Sequence, residues 1–184
     1  MTQNLEDREA LDLLRFWLHA GPSRWFARDD GFDETCRGWL HTWERACAGD
    51  CDGWAGTAAG SLALIILFDQ IPRNSFRGMK EQFASDAKAL ATADAAVAAG
   101  HDVSQVMPIR NFYYLPYQHS EDMAAQTRGL DLYRVAGDQD SYYWMLVHAD
   151  AIRRFGRFPH RNKILGREST AEELAYLASG GFGH

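Results

Sequence analysis

The chain carries no Gly-rich phosphate loop, no nucleophile elbow and no zinc-protease helix. The common short signatures of nucleotide binding, serine hydrolysis and metalloproteolysis are therefore missing. Cysteine is scarce. Cys36, Cys47 and Cys51 are an odd set without paired-ligand spacing elsewhere, so free thiols are expected, with no structural zinc and no cofactor. No cationic start is followed by an apolar stretch, which predicts no secretory signal and a cytoplasmic location. The longest uncharged stretch, residues 53 to 68, contains Gly53, Gly56, Thr57, Gly60 and Ser61. It falls short of the roughly 20 apolar residues that cross a bilayer, so a buried central helix is expected and no membrane partner. No fixed-period repeat is visible either.

What is present is aromatic and acidic. A chain of 184 residues with six Trp, seven Tyr and ten Phe can fill one core, and a single domain over 1–184 is expected. The net charge of −6 argues against a nucleic-acid partner. Against that background residues 148 to 167 stand out, with five Arg and one Lys against one Asp. A basic island in an acidic chain predicts a site for something anionic. Met145, His148, Ile152 and Phe155 form one helical stripe, with Asp150 set to pair with Arg153 and Arg154. Gly156 then stops the helix, and Pro159 biases Phe158 away from it. Cations that offset a helix dipole account for Arg153 and Arg154. They leave the cluster past Pro159, with His160, Arg161, Asn162 and Arg167, unexplained.

The remaining chain reads as further helices. Spacing predicts one over 5–18 with Leu11, Leu14 and Leu18 buried, then Gly21, Pro22 and Ser23 as a break, with Trp25 and Phe26 plugging back into the core. A second is expected over 32–48, with Phe32, Cys36, Trp39, Trp43 and Cys47 inward. The uncharged helix is expected to exit at Ile71-Pro72, with Asp69, Gln70, Arg73 and Asn74 at its mouth. An Ala-rich helix over 77–99 should bury Phe83, Ala87, Leu90 and Ala91 and leave Asp86 and Lys88 as surface charges. Ser120 is expected to cap a helix with Glu121 and Asp122 in its first turn. Asp140 or Ser141 should start the helix that carries His148. Thr170-Ala-Glu-Glu173 is a capping box, and Leu174 and Leu177 should pack the last helix, which Gly180-Gly181 ends.

Three segments carry a resemblance: Asp69-Gln-Ile-Pro-Arg-Asn74, Leu115-Pro-Tyr-Gln-His-Ser-Glu-Asp122, and Phe155-Gly-Arg-Phe-Pro-His-Arg-Asn162 followed by Leu165-Gly-Arg-Glu-Ser-Thr170. In that order they resemble the bacterial domain-of-unknown-function family 924, over nearly the whole chain. The resemblance implies an all-α, tetratricopeptide-like bundle of antiparallel helices with no significant sheet and no established activity. One departure is Ala171, where proline is expected at the first helical position.

Two functional classes follow from these residues. In the first, Arg73, Asn74, Tyr113, Tyr117, Arg157, His160, Arg161 and Asn162 form one ligand-binding pocket for an anionic small molecule or an acidic peptide end. Arg157 and Arg161 grip the anion, Arg73 and Asn162 close over it from two proline exits, and the tyrosines make the wall. In the second, an enzyme of hydrolase or lyase type acts on an acidic or phosphorylated metabolite. His119, Glu121 and His148, with Asp69, would then move protons or hold a divalent metal. His148 and Asp150 lie on different helix faces and make a poor metal pair.

Overall fold

A computed structural model describes the backbone of residues 5–182 and the side chains from residue 8 onward. Its regular structure is helical, with no strand among the described residues, as the sequence predicts. Two compact units make up the chain, Met1–Tyr113 and Tyr114–His184.

In the first unit, helix α1 (Leu5–Ala20) buries Ala10, Leu13, Leu14 and Trp17, whereas Leu11 is half-buried and Leu18 exposed. The predicted stripe is thus displaced around the helix, because Trp17, the largest side chain, sets the buried side. Trp17 stacks on Trp25 at 6.4 Å and meets Phe112 edge-on at 5.7 Å. Trp25 ends the short helix α2 (Pro22–Trp25), and its indole N–H donates to the Trp17 carbonyl at 2.7 Å. Trp25 is the anchor that was expected. Phe26 is not, for it is 60% exposed and meets Phe112 and Trp25 from the surface.

The helix expected over 32–48 is two helices, α3 (Asp30–Arg37) and α4 (Leu40–Ala48), separated at Gly38 and Trp39. Changing direction there moves Trp39 and Trp43 out of register with Phe32 and Cys36, so both indoles are only half-buried and Thr42 and Ala46 go inward. Trp43 turns its N–H to the Ser85 hydroxyl at 2.9 Å.

The uncharged stretch becomes α5 (Ala58–Ile65), capped by the Thr57 hydroxyl, then a π-helical turn at Ile66–Gln70, then α6 (Ile71–Ser75). Residues 61 to 72 are buried without interruption, and Ile65, Ile66 and Ile71 are fully enclosed. No described helix is long and apolar enough to cross a membrane. Pro72 does not end the helix as expected but sits in the first turn of α6, where its missing N–H is tolerated. The physical consequence lies four residues back. Proline can neither donate to the Phe68 carbonyl nor let that carbonyl approach. The backbone widens, so that the Ile71 N–H reaches Ile66, and the Ser85 hydroxyl takes the Phe68 carbonyl at 2.6 Å.

The Ala-rich helix is shorter than predicted. A 3-10 turn at Lys80–Phe83 precedes α7 (Asp86–Ala98), which buries Ala89, Ala93 and Ala96 while Ala87 and Ala91 face outward and Phe83 and Leu90 are half-buried. In so Ala-rich a helix the methyl pattern is nearly uniform, which leaves tertiary packing to choose the face. Cys36, Cys47 and Cys51 are in no disulfide, as expected, and burial followed by the nearby Asp33 pushes Cys36 up to about 12.

The second unit starts with α8 (Leu115–His119), again with proline in its first turn. Helices α9 (Met123–Ala136) and α10 (Gln139–Phe155) form a hairpin closed by Gly137 and Asp138. The cap of α9 is Asp122, not Ser120. Its carboxylate accepts from the N–H groups of Ala124 and Ala125, while the Ser120 hydroxyl accepts from the Asp122 N–H. Asp138 caps α10 two to three residues before the predicted start. Met145, His148 and Ile152 are buried as expected, and left-handed Gly156 ends the helix. Last is α11 (Ala171–Ala178), with the predicted capping box. Its packing differs from expectation: Leu174 is exposed, Leu177 half-buried, and the enclosed residue is Glu173. Here the hydrogen bonds of Glu173 and the ring of Tyr176, packed on the cluster of Ala151, Ile152 and Phe158, hold the helix in place of a leucine stripe.

Candidate functional site

The first unit holds Arg73, Asn74 and Tyr113 of the predicted site residues, and each has a partner there. The Arg73 guanidinium grips Asp86 with two bonds of 2.8 and 3.0 Å, reaches the Asp69 carboxylate at 3.1 Å, and donates to the Asp69 carbonyl at 2.6 Å. Asp86, expected as a surface charge, is thus an ion-pair partner. Burial works against the Arg73 charge, and the carboxylates of Asp69 and Asp86 outweigh it. Asn74 donates to the Gln70 carbonyl at 3.0 Å and accepts from Arg77, which also pairs with Asp33. Side chains four residues on therefore take carbonyls at the π turn. Tyr113 is fully buried and donates its hydroxyl to the Ala58 carbonyl at 2.7 Å.

The second unit holds Tyr117, His119, Glu121, His148, Arg157, His160, Arg161 and Asn162, and it sorts them into two groups around Phe158. One group is an ion-pair network. Arg157 grips Glu173 with bonds of 2.6 and 2.8 Å and donates to the Glu168 carbonyl. Arg167 grips Glu121 at 2.7 and 2.9 Å, and donates to the Asn162 side-chain oxygen and to the Phe158 carbonyl. Asn162 returns its amide to Glu173 at 3.2 Å and to the Ser169 hydroxyl. Glu121 also accepts from the Phe158 N–H at 2.8 Å. Burial alone would raise the Glu121 carboxyl, but its bonds from Arg167 and Phe158 prevail and hold it below the usual carboxylate range. Hydrogen bonds from Arg157 bring Glu173 down to about 2. Such bidentate pairs fix a loop in place, which makes Arg157 and Glu121 parts of the frame.

The second group is a set of imidazoles with one guanidinium. Arg161, 6% exposed, lies over the Phe158 ring at 4.6 Å and donates to the His119 carbonyl at 2.9 Å. The His119 and His148 rings are 6.4 Å apart, and His148 and His160 each lie 5.6 Å from Phe158. His148 gives its Nδ1 proton to the Trp144 carbonyl at 2.7 Å, which turns Nε2 as an acceptor toward the Gln118 amide at 3.5 Å. Burial, reinforced by His119, His160 and Arg161, drives His148 down to about 3. Burial and the adjacent Arg161 drive His160 down to about 4. The Nδ1 atom of His160 is buried and finds no hydrogen-bond partner among the described residues. Tyr117 is buried against α9, with its Cβ beside Gly129. Among the described residues no three His, Cys, Asp or Glu side chains are grouped to hold a metal ion.

Sequence reasoning overlooked three contributors. Gln126, fully buried, donates to the Tyr117, Gln118 and Ser120 carbonyls and so closes the end of α8. Glu173 was legible only as a cap, although the capping box did mark it. Phe182, in a stretch too short to interpret, packs its ring 3.9 Å from His148 and 4.9 Å from His160.

These features define an all-helical protein in which bidentate arginine pairs brace a loop, and the buried His148, the half-buried His119 and His160 and the buried Arg161 gather near Phe158. The chain belongs to the family described as bacterial proteins of unknown function (DUF924), whose model matches residues 13–181. It is similar to the solved structure of a protein of unknown function, ATU0120, from Agrobacterium tumefaciens. The two share 42% identity, with 94% of this chain and 98% of that one covered and a TM-score of 0.90. No curated protein matches it.

Proposed function

We propose that this protein binds a small anion, a carboxylate or a phosphate, at the histidine cluster of the second unit. The observation that carries this reading is the gathering of His148, His160 and the buried Arg161 guanidinium about the Phe158 ring, with the His119 ring beside His148 and its carbonyl bonded to Arg161. The two imidazoles with depressed basicity are neutral near pH 7, which leaves Arg161 as the fixed positive charge, and the partnerless Nδ1 of His160 is a polar contact for a ligand. An arriving anion would favour protonation of both imidazoles, because an opposite charge stabilises the charged form. The anion site is then Arg161 with the three histidines, narrower than the pocket the sequence suggests. Arg157 and Asn162 support it through Glu173, and Arg73 and Asn74 serve the π turn of the first unit. The same network weighs against Glu121 as a general acid or base, since Arg167 and Phe158 occupy its oxygens. The helical hairpin of α9 and α10 is compatible with the tetratricopeptide-like arrangement.

Titration calorimetry with inorganic phosphate and with acetate tests the reading. Binding should take up protons from the buffer between about pH 5 and 6.5 and tighten as the pH falls, as expected when ligand raises two depressed histidines. Arg161→Lys should weaken binding by retaining charge without the planar fork, and His160→Gln should reduce the proton uptake. Neither anion binding to the wild type, or binding with no proton uptake and no response to Arg161→Lys, would refute it.

A further inference from the structure

The chain end after α11 is built to put an aromatic ring on the histidine cluster. Left-handed Gly180, φ 81°, turns the backbone. At Gly181 a Cβ would lie 2.4 Å from the Tyr176 carbonyl oxygen and 2.7 Å from its ring, so only glycine passes there. The Phe182 N–H then donates to the Tyr176 hydroxyl at 3.0 Å. Its ring meets His148 at 3.9 Å, His160 edge-on at 4.9 Å and Phe158 at 5.9 Å. This is a specified contact, since three successive residues each need the observed geometry. It is also an unusual one for a core phenylalanine, because two of the three rings beneath it are imidazoles and the ring stays half-buried. An aliphatic setting would hold the ring by dispersion alone. Here the ring packs on imidazoles, one of which, His160, has a buried Nδ1 without a hydrogen-bond partner, and an unsatisfied group of that kind costs free energy that a ligand with an acceptor or donor would recover.

We infer that the slot filled by Phe182 is the aromatic half of the anion site, so that the ligand is a carboxylate carried on an aromatic body and Phe182 is its displaceable internal stand-in. The inference rests on the anion-binding reading above. Aromatic rings prefer edge-on and offset contacts with their neighbours, which is the geometry at His160 and Phe158, and a carboxylate a few bonds from such a ring would come within reach of Arg161 and the imidazoles. Two sources share this chemistry, a free aryl acid and the C-terminal residue of a peptide that ends in phenylalanine.

The experiment is calorimetric titration of the full chain with three probes: acetate, hydrocinnamate, and a short acetylated peptide with a C-terminal phenylalanine. Phe182→Ala empties the slot, and its gain in affinity over the wild type should be at least ten-fold larger for hydrocinnamate than for acetate. Gly181→Ala, in which the new Cβ expels the backbone from Tyr176 and leaves the slot intact, should reproduce the gain and guards against a folding defect in Phe182→Ala. If the peptide gains as much as hydrocinnamate in both variants, the site takes chain ends. A gain confined to hydrocinnamate assigns it to free acids. Should acetate bind all three proteins while neither variant gains for either aromatic probe, the aromatic slot is wrong and the anion site stands. Should no probe bind any of them, both readings fall together.

Discussion

Removing the Glu173 carboxylate should be among the most damaging single changes in the second unit. The side chain is 2% exposed and accepts four hydrogen bonds, from Arg157 Nε at 2.6 Å, Arg157 Nη2 at 2.8 Å, the Thr170 N–H at 2.7 Å and Asn162 Nδ2 at 3.2 Å. Glu173→Ala therefore opens a bidentate ion pair and half of a capping box in one step. Breaking a buried pair from one side costs roughly 3 to 5 kcal/mol. The Arg157 side chain keeps 28% exposure, so water partly solvates it and the low end, about 3 kcal/mol, applies. For a chain of this size that is a fall of about 6 to 12 °C in Tm. Arg157→Ala should cost less, because Glu173 would keep Thr170 and Asn162 as donors. Thermal unfolding followed by circular dichroism reads all of this directly. A Tm for Glu173→Ala within about 1 °C of the wild type, or a larger loss for Arg157→Ala than for Glu173→Ala, would refute the account of Glu173 as the hub.

Three other outcomes are expected. Ser85→Ala removes the hydroxyl that joins the Phe68 carbonyl to the Trp43 indole, and stranding these groups should lower stability in urea by about 1 to 3 kcal/mol, with no loss if water replaces it. Ile65→Ala, at a fully enclosed position, should cost about 2 to 5 kcal/mol, and an unchanged urea midpoint would mean that the side chain is not enclosed. Stability should also fall on mild acidification. The unfolded chain protonates His148 and His160 near 6.5, whereas the folded one does so only near 3 and 4. Between about pH 6.5 and 4 the unfolded state thus binds up to two more protons, and stability is lost as pH falls with a slope approaching about 2.7 kcal/mol per pH unit. Glu173, depressed to about 2, adds a loss of the same sign below its unfolded value of 4.5. Urea midpoints at pH 7 and pH 5 measure the slope, which His160→Gln should reduce by about half; a flat profile would contradict the buried neutral histidines.

Much of the frame was legible in the sequence because it depends on neighbours along the chain. The Thr170 to Glu173 capping box, the stop at Gly156, the Met145, His148 and Ile152 stripe and the enclosed uncharged helix all involve residues within a few positions of each other. The basic island marked the segment that carries Arg157, Arg161 and Arg167. It did not reveal that Arg157 and Arg167 are matched by Glu173 and Glu121, since one of these partners lies 16 and the other 46 residues away. Periodicity also failed where a helix offered two plausible faces, as with Leu18 of α1 and Ala87 of α7.

What the sequence determined by itself was the all-helical class and the local punctuation, because caps, glycine stops and apolar spacing act through the backbone of one or two turns. The tertiary structure alone decided which charges became partners and which histidines came together. An ion pair forms between groups that folding brings within about 4 Å, whatever their separation along the chain. That rule turned Arg157 and Glu121 into bracing and gave Arg73 to Asp69 and Asp86, while folding set Arg161 over Phe158 and the ring of Phe182 against His148 and His160.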